Sequence, residues 1–531
     1  MPLPNPQSKK IRLVCCEMLL RFIHFRATVA AAARHFSAEA AAQKAVGRGG
    51  ATARTGGGGD TLGRRLFSLV YAKRSAVIAI GKWKAEGHKV QKYQLNRIVR
   101  ELRKLKRYKH ALEVCEWMTQ QQDIKLMQGD YAVHLDLIAK VRGLSSAEKF
   151  FEDLRDEMRG WQTCTALLHT YVNYKLIEKA EALMEKMSEC SFLKNPLPYN
   201  HMLSLYVANG QLEKVPEVIK ELKKNTSPDV VTYNLWLRAC ASQNDVETAK
   251  KVLVELKKAK VDPDWITYST LTNLYIKNQL IENAASTLKE MEKRASRKNR
   301  LAYSSLLSLH TNMGDRDGVH RIWNKMKSCF RKMNDAEYTS MMSSLVKLEE
   351  IEEAQNLYSE WESVSGRSDP QVPNILLAAY INRNQMEEAE NFHHHMVQNG
   401  FRPCYTTWEL LTWGHLKSKQ MDKVLDYFKK AISSVKKWNP DKILVREVFK
   451  NLEEKGIVEE AEEFLVMLQK AGHVSTEIYN SVLRTYKNAG KMPLIVAERM
   501  KKDNVDLDEE THRLIKATCS MCVSEVSSFV S

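Results

Sequence analysis

Proline (13), glycine (22) and long apolar runs are all scarce in this chain of 531 residues. No stretch of about 18 apolar residues occurs, so no transmembrane helix is expected. Beyond the cluster between Gly49 and Gly59, almost no glycine-rich loop remains, and no phosphate-cradling loop is present. Catalytic triad spacing and paired-carboxylate motifs are missing as well, so an enzyme is not expected. The ten cysteines are scattered rather than paired and no secretory signal is present, which favours free thiols in a reducing compartment.

What is present is charge. The chain carries 81 Lys and Arg against 64 Asp and Glu, a formal +17. Residues 1–90 hold 16 of the basic groups against Glu17, Glu39, Asp60 and Glu86, which leaves 65 basic and 60 acidic groups for the rest. The excess sits at the front, so global charge is weak support for a nucleic-acid partner. "MLLRFIHFRATVAAAARHFS" (Met18 to Ser37) contains Arg21, Arg26 and Arg34 and no acid. Such a basic, alanine-rich, amphipathic stretch predicts an organellar targeting peptide over 1–36. "RHFS" (Arg34 to Ser37) is similar to the site cut by the mitochondrial matrix processing peptidase, which places mitochondrion ahead of chloroplast. Residues 37–90 read as a low-complexity basic linker and lead-in.

Tyr233, Tyr268, Tyr303 and Tyr338 lie 35 residues apart, each followed by Asn, Ser or Thr. A fixed period of this size marks a stacked repeat array. With Val230 as position 1, Tyr233, Trp236, Leu237 and Cys240 share one face of a first helix. Val246, Ala249, Leu253 and Leu256 share one face of a second, at positions 17, 20, 24 and 27. The second stripe recurs as Ile177, Ala180, Met184, Met187; Leu212, Val215, Ile219, Leu222; Ile281, Ala284, Leu288, Met291; and Ile351, Ala354, Tyr358, Trp361. "SQND" (Ser242 to Asp245) supplies the turn between helices, and "DPD" (Asp262 to Asp264) ends the second helix. One helix pair cannot bury its own apolar face, so the units must stack. The expectation is an all-α solenoid of about twelve antiparallel helix pairs over 91–508, with a C-terminal cap at 509–531.

The Tyr–Asn pair, the alanine at position 20 and the closing Pro–Asp resemble the pentatricopeptide repeat, in the P-type form with 35-residue units. The tetratricopeptide repeat has a period of 34 and a Trp–Leu–Gly–Tyr pattern missing here. The resemblance covers about four fifths of the chain, and implies a right-handed superhelix that binds single-stranded RNA, one base per repeat.

Position 5 points the same way. It is Thr165, Asn200, Asn234, Ser269, Ser304, Thr339 and Asn374 in seven units, although short hydrogen-bonding residues are poor choices inside a helix. Under the resemblance each works with the last residue of its unit. The pairs are Thr165 with Asn195, Asn200 with Asp229, Asn234 with Asp264, Ser269 with Asn299, Ser304 with Asn334, and Thr339 with Asp369, and the family's preferences read A, U, U, A, A, G. Leu197, Val231, Ile266 and Leu301 at position 2 correspond to base-sandwiching residues. Asn374 pairs with Cys404, outside the usual set, and position 5 is Ala132, Glu409 and Arg446 elsewhere, so base selection is expected to fade at the ends.

Metal and cofactor sites are not expected. Three adjacent histidines on a helix, His393 to His395, cannot converge on one ion, and Cys519 and Cys522 form a lone C-x-x-C. A deaminase domain would need H-x-E, which does not occur. The reading is an RNA-binding adaptor of an organellar transcript, with protein cofactors as further partners and neither DNA nor membrane expected. The alternative is a helical scaffold for a protein partner, such as mitochondrial ribosome components.

Overall fold

The computed structural model describes residues 61–69, 75–364, 370–435, 438–493 and 495–528, with side chains through 519. The targeting segment expected over 1–36, most of the glycine-rich linker, and Asp369 lie outside the described residues. Every element among them is a helix. The chain divides into two compact bodies, one ending at Met313 and one beginning at Gly314.

Six complete helix pairs fill the first body from Lys92 to Arg294, followed by the helix Arg300–Asn312. The second body opens with Arg316–Cys329 and adds five pairs from Asp335 to Lys502. These eleven pairs, with Arg300–Asn312 in the one body and Arg316–Cys329 in the other, account for the helices of the twelve expected units. Within each body a first helix packs on its own second helix and on the first helix of the next unit, giving two layers. Two further helices, Leu62–Phe67 and Ala76–Ala85, occupy the stretch assigned to the lead-in. Arg107 ties the first to the array by donating to the Phe67 carbonyl at 2.6 Å, and Glu113 caps the second through Ala76 N, also at 2.6 Å. At the other end Glu509–Ser528 packs on Thr476–Asn488.

The repeat explains itself residue by residue. Tyr199, Tyr233, Tyr303, Tyr338 and Tyr479 are buried at position 4. Their hydroxyls need partners there, and three find a glutamate 22 residues on: Glu221 (3.3 Å), Glu255 (3.2 Å) and Glu360 (3.0 Å). Burial and the Glu255 carboxylate push the Tyr233 hydroxyl up to about 12, which keeps it a donor. Ala180, Ala249, Ala284, Ala354 and Ala389 at position 20 are fully buried, where a larger side chain would overpack. The expected second-helix stripe is buried or half-buried with one correction. Ile281, the first residue of its helix, is 53% exposed.

The turn between helices is set by one residue. Position 15 has positive φ in eleven units, from Lys106 through Lys175, Gly210, Asn244 and Gln279 to Gly456 and Gly490. That left-handed backbone suits glycine, yet lysine, glutamate or glutamine holds it in several units at a cost of about 1 kcal/mol each.

Candidate nucleic-acid interface

The residues expected to read bases meet at the seam between consecutive first helices. Asp264 precedes the helix Trp265–Lys277 and caps it, its Oδ1 accepting from Ile266 N at 3.0 Å and Thr267 N at 2.9 Å. The same oxygen accepts from Asn234 Nδ2 at 3.1 Å. Thr267, fully buried at position 3 of the next unit, donates its hydroxyl proton to Asn234 Oδ1 at 2.7 Å and accepts from Asp264 N at 3.2 Å. A carboxylate only accepts, so the Asn234 amide must turn its nitrogen to Asp264 and its oxygen to Thr267. One N–H and one lone pair of that amide remain, and Asp264 Oδ2 has no hydrogen bond among the described residues.

The arrangement repeats in both bodies. Asn200 donates to Asp229 at 3.1 Å and accepts from Thr232 at 2.7 Å. Asn374 accepts from Thr407 at 3.0 Å while Cys404 Sγ takes the place of the carboxylate at 3.6 Å. Asn480 and Asp508, absent from the expected pairs, form the same junction, with contacts of 3.1 and 3.2 Å and Thr511 at 2.7 Å. Their signal was Tyr479–Asn480 at positions 4 and 5. The short helix Val496–Lys502 brings Asp508 only 28 residues behind Asn480, where a strict period expects 30.

The hydroxyl pairs behave differently. Thr165 and Thr339 donate to carbonyls of their own helices, Trp161 O at 2.6 Å and Asp335 O at 2.8 Å, leaving the hydroxyl oxygen as an acceptor. No direct bond joins Thr165 to Asn195 or Ser269 to Asn299 among the described contacts. Asn195, Asn299 and Asn334 serve as N-caps, to Leu197 N (2.9 Å), Ala302 N (3.3 Å) and Glu337 N (3.1 Å). Ser304 lies in the first body and is half-buried. The last residue of a unit therefore answers to helix capping as well as to its partner at position 5.

The side chains of the row differ in exposure. Asn234, which is not among the residues of the expected apolar face, is only 4% exposed, because the seam closes around its amide. Leu197 (41%) and Val231 (44%) are exposed on the first turn, whereas Ile266 and Leu301 are half-buried.

The electrostatics of the row vary along its length. Arg238, one turn beyond Asn234, is half-buried without an ion pair among the described residues. Asp136 is buried, and burial alone would raise its pKa. The His169 imidazole, 3.7 Å away, and the charges of Lys140 (2.8 Å) and Arg103 (2.7 Å) hold it far below the carboxylate range. Glu409 at position 5 is 8% exposed and accepts from Tyr405 Oη at 3.0 Å; burial pushes it up to about 7. Arg446 is exposed and pairs with Glu477 at 3.5 Å.

His393 is buried in the core while His394 and His395 are exposed, so the three do not converge. Cys522 lies beyond the described side chains. Among the described residues, His320, Glu350 and Glu353 bring together donor atoms that could hold a metal ion, at 3.3 Å from the imidazole to each carboxylate, and they stand as ion pairs.

A model described as the PPR repeat family matches residues 194–242 and 228–275, and one described as the PPR repeat matches 162–192, 266–295, 338–364 and 373–401. A mitochondrial pentatricopeptide repeat-containing protein of Arabidopsis thaliana is 62% identical over 522 residues, covering 95% of this chain and 98% of its own. Another mitochondrial relative from that plant is 45% identical over 200 residues, 37% of this chain and 49% of its own. A solved maize pentatricopeptide repeat protein aligns over 98% of this chain and 81% of its own, at 17% identity and a TM-score of 0.41. Kinship at this level places the protein in the mitochondrion. The chain belongs to the pentatricopeptide repeat family.

Proposed function

We propose that this protein is an adaptor that binds a single-stranded segment of an organellar transcript, one base per repeat, and carries out no reaction of its own. The supporting observation is the Asn–Asp–Thr junction. It clamps the asparagine amide from behind and leaves one donor and one acceptor side by side, which matches a base edge such as N3–H and O4 of uracil. Exposed Leu197 and Val231 lie on the first turns of the same helices, where an apolar side chain can pack on a base face. Hydroxyl units, with their proton turned into their own helix, present an acceptor to an exocyclic amine such as that of adenine. The central six units then select AUUAAG, 5′ to 3′. Duplex RNA is excluded because its base edges are paired, and DNA lacks the 2′-hydroxyl.

The test is a titration, at stated salt, of wild type and Asn234→Thr/Asp264→Asn against AUUAAG and AUAAAG oligomers. Asparagine can still cap the helix Trp265–Lys277, so the double variant keeps that bond. The preference at the third base should move from U towards A by several-fold, the worth of about one hydrogen bond. Equal affinity for all oligomers in both proteins refutes base reading. The scaffold reading then leads, favoured by the buried Glu409 carboxyl at position 5, where Asn200, Asn234, Asn374 and Asn480 offer amides. Crosslinking in isolated mitochondria followed by sequencing of the bound RNA identifies the transcript.

A further inference from the structure

The first unit has a different junction from the other asparagine units. Asn96 stands at position 5 and donates to Asp130 Oδ1 at 3.0 Å, but Asp130 occupies the place that Thr232, Thr267, Thr407 and Thr511 hold elsewhere. Threonine supplies the proton that satisfies the asparagine oxygen; a carboxylate cannot. Asp130 itself is fully engaged, by Lys92 at 2.6 Å, Met127 N at 2.8 Å and Asn96. Asn96 Oδ1 therefore accepts no hydrogen bond among the described residues.

Beside it lies a cavity of about 210 Å³ between the helices Lys92–Lys104, Tyr108–Thr119 and Gln128–Arg142. Val99, Met118 and Leu126 give it apolar walls, and Asn96, Arg100 and His134 contribute polar groups. His134 is 5% exposed and neither ring nitrogen has a partner. Burial, assisted by the Arg142 charge, lowers its pKa to about 4, so at neutral pH it offers one donor and one acceptor. Leaving both unmet in the interior is costly, and an occupant with polar edges removes that cost. Pockets for drug-sized molecules run to about 300–1,000 Å³, so this one suits something smaller. Tyr93, 78% exposed, and Arg100 share the outer face of Lys92–Lys104 with Asn96 at helical spacing. Aromatic ring, amide and guanidinium in that order form a surface for stacking a base and pairing a phosphate.

We propose that this cavity takes one unpaired nucleobase of the bound RNA, edge-on to His134, with an exocyclic amine donating to Asn96 Oδ1. The inference rests on the RNA-binding reading. The first unit lies two units ahead of the one containing Thr165, so the captured nucleotide is the second one upstream of AUUAAG. An amino-bearing base there should be preferred to uracil.

The experiment titrates the full chain with an RNA oligomer holding adenine at that position and with a matched oligomer abasic there, at fixed salt. Wild type should lose about fivefold in affinity for the abasic RNA, and His134→Leu should lose less than about twofold between the two. Thermal melting of the variant checks that it is folded. If the variant does not fold, 2-aminopurine at the same nucleotide reports on wild type alone: a fluorescence change on binding supports the cavity, and none overturns it. Binding of AUUAAG RNA with indifference to the abasic site overturns this inference alone and leaves the cavity to water. An equal loss in wild type and variant places the contact outside the cavity and also overturns it. No binding of either RNA overturns the RNA reading itself.

Discussion

Thr267→Val tests the clamp behind Asn234. The side chain is fully buried and valine copies its shape, so packing is nearly preserved and the change removes one hydroxyl. Two groups lose a partner: Asn234 Oδ1, at 2.7 Å, and the Asp264 amide, at 3.2 Å. An orphaned buried polar group costs about 1–3 kcal/mol. The added methyl returns about 0.8 kcal/mol, so a net loss of about 2 kcal/mol is expected in urea unfolding. Asn234→Ala already deletes the oxygen, so in that background the valine substitution should cost at least about 1 kcal/mol less. The same amide loses one of its two anchors, and the uracil preference at the third base should weaken in parallel. Additivity of the two substitutions within about 0.3 kcal/mol would refute the reasoning, because it would mean that the hydroxyl and the amide do not act together.

Further outcomes follow from charge. Arg238→Ala should weaken binding to all RNA sequences alike and lower the slope of log affinity against log salt by about 0.7; a change confined to one sequence counts against a phosphate role. His134, His201 and His393 are buried, and burial, which outweighs the neighbouring charges, lowers them to about 4, 3 and 4. Below the ordinary value near 6.5 the unfolded chain takes up protons that the folded one refuses, so stability falls as pH drops from about 6.5 towards 4. At pH 5.5 the loss is about 1.4 kcal/mol per histidine, and a melting temperature unchanged between pH 7.5 and 5.5 contradicts it. Glu409 is the opposite case. Its folded pKa of about 7 means that the folded chain holds a proton which the unfolded chain releases above about 4.3, so the residue destabilises at high pH. Glu409→Gln should stabilise by about 2–4 kcal/mol at pH 8, with the gain shrinking towards pH 5; a pH-independent gain would show that the carboxyl is not the cause.

The solenoid was legible because its cause is periodic. Tyr at position 4 and alanine at position 20 are packing demands that recur every 35 residues, and the sequence shows them directly. Position 5 was legible for the same reason, as polarity where packing predicts none. Three features were not. Asn480 and Asp508 meet through a shortened second helix, and a fixed count passes over a pair whose spacing is set by helix length. The burial of Asn234 depends on Thr267 in the next unit, which no single helical wheel contains. The left-handed turn at position 15 is carried by Lys175, Glu349 or Lys419 as often as by glycine, so its residue type gives no warning.

The clamp draws on three places: position 5 and the last residue of one unit, and position 3 of the next. Letters therefore belong to boundaries rather than to blocks. Recombination or engineering that excises a unit cleanly between Asp264 and Trp265 brings a new position 3 against Asn234, and the letter before the cut changes along with the letter removed. Exchange preserves the message only when it carries the following threonine with it, so the heritable module of this array is a unit and the first turn of its successor. Where the successor has Asp130 instead of threonine, the chain has in effect written a different kind of character.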